Sequence, residues 1–113
     1  MKKKVVILLL VLLTSLSLNA QNEEKRLTLV KENYAELSFD GIKYILNSYI
    51  VMMENPYYIT IEREDKGKIE YQEAVNISIE YIKPRGCTSP LERIPSLDRY
   101  NADKTKWMIG ISC

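Results

Sequence analysis

The spacing of apolar residues changes several times along this chain, and each change marks an element. Residues 5–13 form an unbroken apolar run, preceded by Lys2, Lys3 and Lys4 and followed by the more polar residues 14–20. Leu27, Leu29 and Val30 open either a strand or a helical turn, and residues 31–36 are helix-permissive. Ile42, Ile45, Leu46, Tyr49, Ile50 and Met53 then recur at spacings of three and four, which places them on one helical face. Ser38 or Asp40 is available as N-cap, and Asn55-Pro56 as a stop, so a helix is expected over residues 42–53. The β-branched and aromatic residues of the run suit a strand instead. A hairpin through Asn47-Ser48 is the competing reading, although Asn-Ser is a weaker two-residue turn than Asn-Gly.

From Tyr57 the period is two. Tyr57, Ile59 and Ile61 alternate with Tyr58, Thr60 and Glu62, as in a half-buried strand. Asp65-Lys66-Gly67 is a turn, after which Ile69 and Tyr71 start a returning strand. Val75, Ile77, Ile79 and Tyr81 face one way and Asn76, Ser78 and Glu80 the other, a strand ended by Pro84 and Gly86. Residues 87–105 read as a long connection rich in proline, Asn and Asp. Residues 106–113 form a final strand with Trp107, Ile109, Ile111 and Cys113 sharing a face. These elements predict an α+β fold, one helix packed on a small antiparallel sheet of three to four strands, with a disulfide-closed C-terminal loop.

The first run changes the compartment and the charge. Three lysines, an apolar core and the small residue Ala20 read as a signal peptide over residues 1–20, leaving residues 21–113 as a single small exported domain. An uncleaved anchor is the alternative, but the run is shorter than the ~20 apolar residues a bilayer span needs. Periplasmic or secreted localisation in a bacterium follows, with no stable membrane insertion after cleavage. Removing 20 of 113 residues leaves 93, with 13 basic and 15 acidic side chains, a net charge of −2. The charges are interspersed, so no nucleic-acid surface is expected.

Two cysteines in an exported chain favour a disulfide between Cys87 and Cys113, against free thiols or an intermolecular bridge. Two cysteines and no histidine give no zinc spacing, so no metal site is expected. The absence of histidine also removes the commonest general base. No glycine-rich phosphate loop is present, and no cofactor is implied. Glu62, Glu64, Asp65, Glu70, Glu73 and Glu80 cluster around the expected hairpin and leave paired carboxylates as material for acid catalysis, though a charged strand edge explains them better. No catalytic residue is assigned.

Eight tyrosines against one phenylalanine point instead to contact surfaces. Tyr57, Tyr71 and Tyr81 fit half-buried sheet positions, whereas Tyr58 and Tyr100 are the surface candidates. Arg85, Arg93, Arg99, Tyr100 and Asn101 surround the long loop, and arginine and tyrosine are frequent binding hot spots. The opposing reading is a structural loop in which Arg99 pairs with Asp98 or Asp103 and covers the sheet. Asn76-Ile77-Ser78 matches the glycosylation tripeptide, inside an expected strand. The expected function is a small exported non-catalytic binding protein, an inhibitor or immunity-type partner of another exported protein. The alternatives are a small exported enzyme using acidic residues, or an assembly subunit pairing through a sheet edge.

Overall fold

Residues 26–113 are described by a computed structural model. The expected signal peptide, residues 1–20, and its junction lie outside the described residues. Among the described residues one α-helix, α1 (Tyr71–Gly86), packs on one face of a seven-stranded antiparallel sheet. The strands are β1 (Thr28–Leu29), β2 (Ala35–Phe39), β3 (Ile42–Ile50), β4 (Tyr57–Arg63), β5 (Glu92–Arg93), β6 (Arg99–Tyr100) and β7 (Lys106–Ser112). Their order is β1-β3-β4-β7-β5, with β2 also paired to β3 and β6 also paired to β7. The sheet is larger than the three to four strands expected.

Residues 42–53 are not a helix. Ile42–Ile50 is the longest strand, and its hairpin turn is not at Asn47-Ser48 but two residues before it starts. Phe39 pairs with Ile42, so Asp40 and Gly41 alone form the loop, at φ +53° and +80°. Both positive values suit a two-residue turn whose twist matches the flanking strands, and Asp-Gly is a preferred pair for it. The helical spacing misled because both faces of β3 carry apolar groups. Tyr44, Leu46 and Ser48 are buried in the face toward α1, while Ile45 and Tyr49 occupy the other face.

The alternation from Val75 to Tyr81 likewise does not form a strand, nor do Ile69 and Tyr71 begin one. These residues belong to α1 or its approach. The buried positions of α1 are Ala74, Val75, Ile77, Ser78, Tyr81 and Ile82, a helical set spaced by three and four. Ala74 and Ser78 are small and carry little hydropathic signal, yet they let the helix approach the sheet. Pro84, expected to end a strand, lies inside the last helical turn, and Gly86 is the final residue of this helix.

Strands β4 and β7 pair along their length, Ile59 opposite Ile109 and Ile61 opposite Trp107. Leu46, Ile59, Ile61, Ile109 and Ile111 are fully buried beneath Ile77, Tyr81 and Ile82. Tyr81 is the polar centre of this core. Its hydroxyl bonds to Ser48 Oγ at 2.7 Å and donates to the backbone carbonyl of Asn33. That second bond ties the 3-10 turn Lys31–Asn33, between β1 and β2, to the helix. Burial raises the Tyr81 phenol above its ordinary range. Tyr44 is pushed up to about 12, first by burial and then by its hydrogen bond to the Glu73 carboxylate.

Cys87 and Cys113 are joined by a disulfide, closing the end of α1 onto the end of β7. Such a bond points to an oxidising, non-cytoplasmic environment. Among the described residues no helix is long and apolar enough to cross a membrane.

Candidate functional site

The connection between α1 and β7 is ordered by one carboxylate. The Asp98 side chain is 8% exposed and accepts bonds from Arg93 Nη2 at 2.6 Å, Tyr71 Oη at 2.5 Å and the Gly110 amide at 2.9 Å. Arg93 Nη1 also donates to the Gly110 carbonyl. These bonds join β5, the start of α1 and the middle of β7 around one charge pair. Gly110 has no side chain because the segment lies against it. A Cβ there would stand 2.6 Å from Leu97 Cβ and 2.8 Å from the Ile94 carbonyl oxygen. Residues 87–105 are therefore not a plain loop but carry β5, β6 and the 3-10 turn Pro95–Leu97.

This ordering holds β6 at the mouth of a groove of about 480 Å³. Arg99, Tyr100 and Asn101 line one wall. Lys106, Trp107 and Met108 of β7 continue it, and Thr60, Tyr49 and Leu27 complete it. Tyr100 is 58% exposed and its ring lies 4.8 Å from that of Trp107, centroid to centroid. Tyr71 contacts the same indole at 5.1 Å, and the indole N–H donates to the Ile69 carbonyl at 2.9 Å. Trp107 is thus held between two tyrosine rings and by one hydrogen bond, and is buried. Tilted aromatic pairs of this kind contribute about 0.5–1.5 kcal/mol each beyond their burial.

The groove has cations and no carboxylate in its lining. Arg99 Nη1 donates to the carbonyls of Ser96 at 3.0 Å and Asp98 at 2.7 Å. Its Nε and Nη2 have no hydrogen-bond partner among the described residues. Lys106 Nζ lies 3.8 Å from Glu62, whose other oxygen is held by Lys66 at 2.9 Å. Lys104 Nζ stands 5.5 Å from the centroid of the Tyr100 ring, within cation–π range.

Of the six residues expected at a partner surface, the structure brings Arg99, Tyr100 and Asn101 together. The other three are elsewhere. Tyr58 is not on the surface; it is 4% exposed, opposite Tyr49 and Gly110 on neighbouring strands. Arg93 is occupied by Asp98, and Arg85 lies over the Tyr81 ring while donating to the Tyr81 carbonyl at 2.8 Å. The expected pairing of Arg99 with the Asp98 or Asp103 carboxylate is not formed; Arg99 reaches the Asp98 main chain instead. Asn101 Oδ1 accepts the amides of Thr105 and Lys106, fixing the turn beside the groove.

Sequence reasoning missed Tyr49, Thr60 and Met108. Their signal was parity: Thr60 and Met108 are registered partners on β4 and β7, on the face away from Ile59 and Ile109. Tyr49 joins them only once residues 42–50 are read as a strand.

The acidic residues considered for catalysis are spread out. Glu64 pairs with Lys43, Glu80 with Lys83, and Glu73 with Tyr44. Arg63 donates two bonds to Asp65, which together with the Gly67 amide hold its carboxyl low, at about 2. Among the described residues no group of three or more His, Cys, Asp or Glu is placed to hold a metal ion. No protein-family profile, curated protein or solved structure matches the chain.

Proposed function

We propose that this chain is a small exported binding protein that engages another exported protein through the groove at β6 and β7. An inhibitor or immunity-type role fits this reading. One observation carries it: Tyr100, an exposed aromatic, lies against the buried Trp107, and the preceding residue of β6, Arg99, has unused donors. Tyrosine and arginine in that setting are the residues that anchor protein interfaces, and a fixed platform lowers the ordering cost of binding. Arg85 and Arg93 serve the fold in this account and leave recognition to the β6 residues.

The test is a pull-down from the compartment in which the protein resides, followed by affinity measurement with Arg99→Ala, Tyr100→Ala and Glu64→Ala. The first two weaken partner binding by about thirtyfold or more, the usual loss at a hot spot, while Glu64→Ala changes little. Melting is measured on the same variants. Groove variants that melt early yet bind normally would refute the proposal.

A second reading, assembly through a sheet edge, is favoured by one feature. Strand β2 pairs only with β3 among the described residues, leaving its other edge open to a strand from a second molecule. A mass that rises with concentration in light scattering, and falls on Leu37→Pro, supports that reading; a constant monomer mass removes it.

A further inference from the structure

The groove's lining charge narrows the partner. We infer that the groove selects an acidic segment of the partner protein, with a carboxylate beside a large apolar side chain; this rests on the binding role proposed above. Two formal charges line the groove, Arg99 and Lys106, and both are positive. Lys104 adds a third at the Tyr100 ring. Glu62 is paired with Lys66 and Lys106, Asp98 with Arg93, and Asp103 accepts the Thr105 hydroxyl. Lys106 shares its charge with Glu62, so Arg99 is the lining cation that an approaching carboxylate meets without a carboxylate partner among the described residues.

The geometry of Arg99 specifies the kind of anion. Its Nη1 is held by two main-chain carbonyls, which orients the guanidinium plane and leaves Nε and Nη2 as a pair. That pair matches the two oxygens of a carboxylate. Leu27, Tyr49 and Met108 supply the apolar part, and about 480 Å³ takes one or two side chains. The recognised element is thus Asp or Glu next to Phe, Leu, Ile or Met.

This is tested by panning a random peptide library against the oxidised protein purified from an exporting host. Enriched peptides are then titrated against the wild type, Arg99→Ala, Arg99→Lys and Lys106→Ala. Trp107, the only tryptophan, reports binding by fluorescence. The expected pool is rich in Asp or Glu adjacent to an apolar residue. Arg99→Ala weakens those peptides about tenfold or more, the contribution of a charge-assisted hydrogen bond. Arg99→Lys restores the salt dependence of binding but not the full affinity, because the fork is lost. Peptides that depend on Tyr100 but are neutral or basic would overturn the acidic preference and leave the binding groove standing. Enrichment that ignores all groove variants, or no enrichment at all, would overturn both.

Discussion

Replacing Tyr81 by Phe removes one oxygen from the middle of the core and keeps the ring. The hydroxyl, carried by α1, serves two buried groups, Ser48 Oγ of β3 and the Asn33 carbonyl of the 3-10 turn. Ser48 is 0% exposed and Asn33 6% exposed, so bulk water does not readily replace the lost bonds. A buried polar atom left without a partner costs about 1–3 kcal/mol, partly offset because the phenol itself no longer needs to be desolvated. The expected loss is about 2–3 kcal/mol, a large share of a small domain's stability. Ser48→Ala alone leaves the hydroxyl bonded to Asn33 and costs only about 1 kcal/mol. The double variant should be more stable than the sum of the two losses implies, by about 1 kcal/mol, because Ser48 is no longer there to be orphaned. Urea unfolding of the four oxidised proteins, followed by circular dichroism with the slope compared, yields this coupling. The single Tyr81→Phe change should also lower the melting temperature by roughly 10–20 °C. A loss under about 0.5 kcal/mol, or strict additivity, would refute the claim that this network holds the 3-10 turn to the helix.

Three further outcomes are expected. Cys113→Ser should cost about 3–4 kcal/mol by the chain-entropy account for a sequence separation of 26, and reductant should lower the wild-type melting temperature but not the variant's; insensitivity of the wild type to reductant would contradict the linkage. Because the Tyr44 phenol is raised to about 12, the folded state holds its proton where the unfolded chain, near 10, releases it; the stability so contributed, about 2–3 kcal/mol, is complete below about pH 10 and lost as pH rises towards 12. Tyr44→Phe should flatten that alkaline limb in urea midpoints taken from pH 9 to 12, and an unchanged limb would remove Tyr44 as its source. Gly110→Ala should destabilise by about 1–3 kcal/mol, since the new methyl meets Leu97 and the Ile94 carbonyl, and an unchanged melting temperature would show that the 94–97 segment yields freely.

Of the sheet, β4 and β7 were legible, and the failures share a physical origin. Strands β4 and β7 were read correctly because each carries a clean alternation, with Ile59 and Ile61 or Trp107, Ile109 and Ile111 inward. The disulfide followed from the cysteine count and the inferred compartment. Strand β3 was read as a helix because Ile45 and Tyr49 break the alternation of a sheet that carries apolar groups on its second face too. Asp40-Gly41 held the contrary signal, a two-residue turn that should have outweighed the spacing. Helix α1 was read as a strand because its packing relies on Ala74 and Ser78, which hydropathy undervalues. A third of the candidate site was visible as Arg99, Tyr100 and Asn101. The presence of Tyr49, Thr60 and Met108 depends on which strands are neighbours, and that is a property of topology.

The sheet's order also sets the order in which it can assemble. Strands β2, β3 and β4 are successive hairpins, so their contacts close short loops and form early. Strand β7 pairs with β4 only after α1 and residues 87–105 have been laid down. Until then the inner edge of β4, with Ile59 and Ile61, stands as an unprotected edge on a nascent chain, the state in which such sheets aggregate. Trp107 sits on β7, so its fluorescence during refolding times this last docking step, separately from the circular dichroism of α1. Coincident traces from the two probes would mean that helix and final strand arrive together.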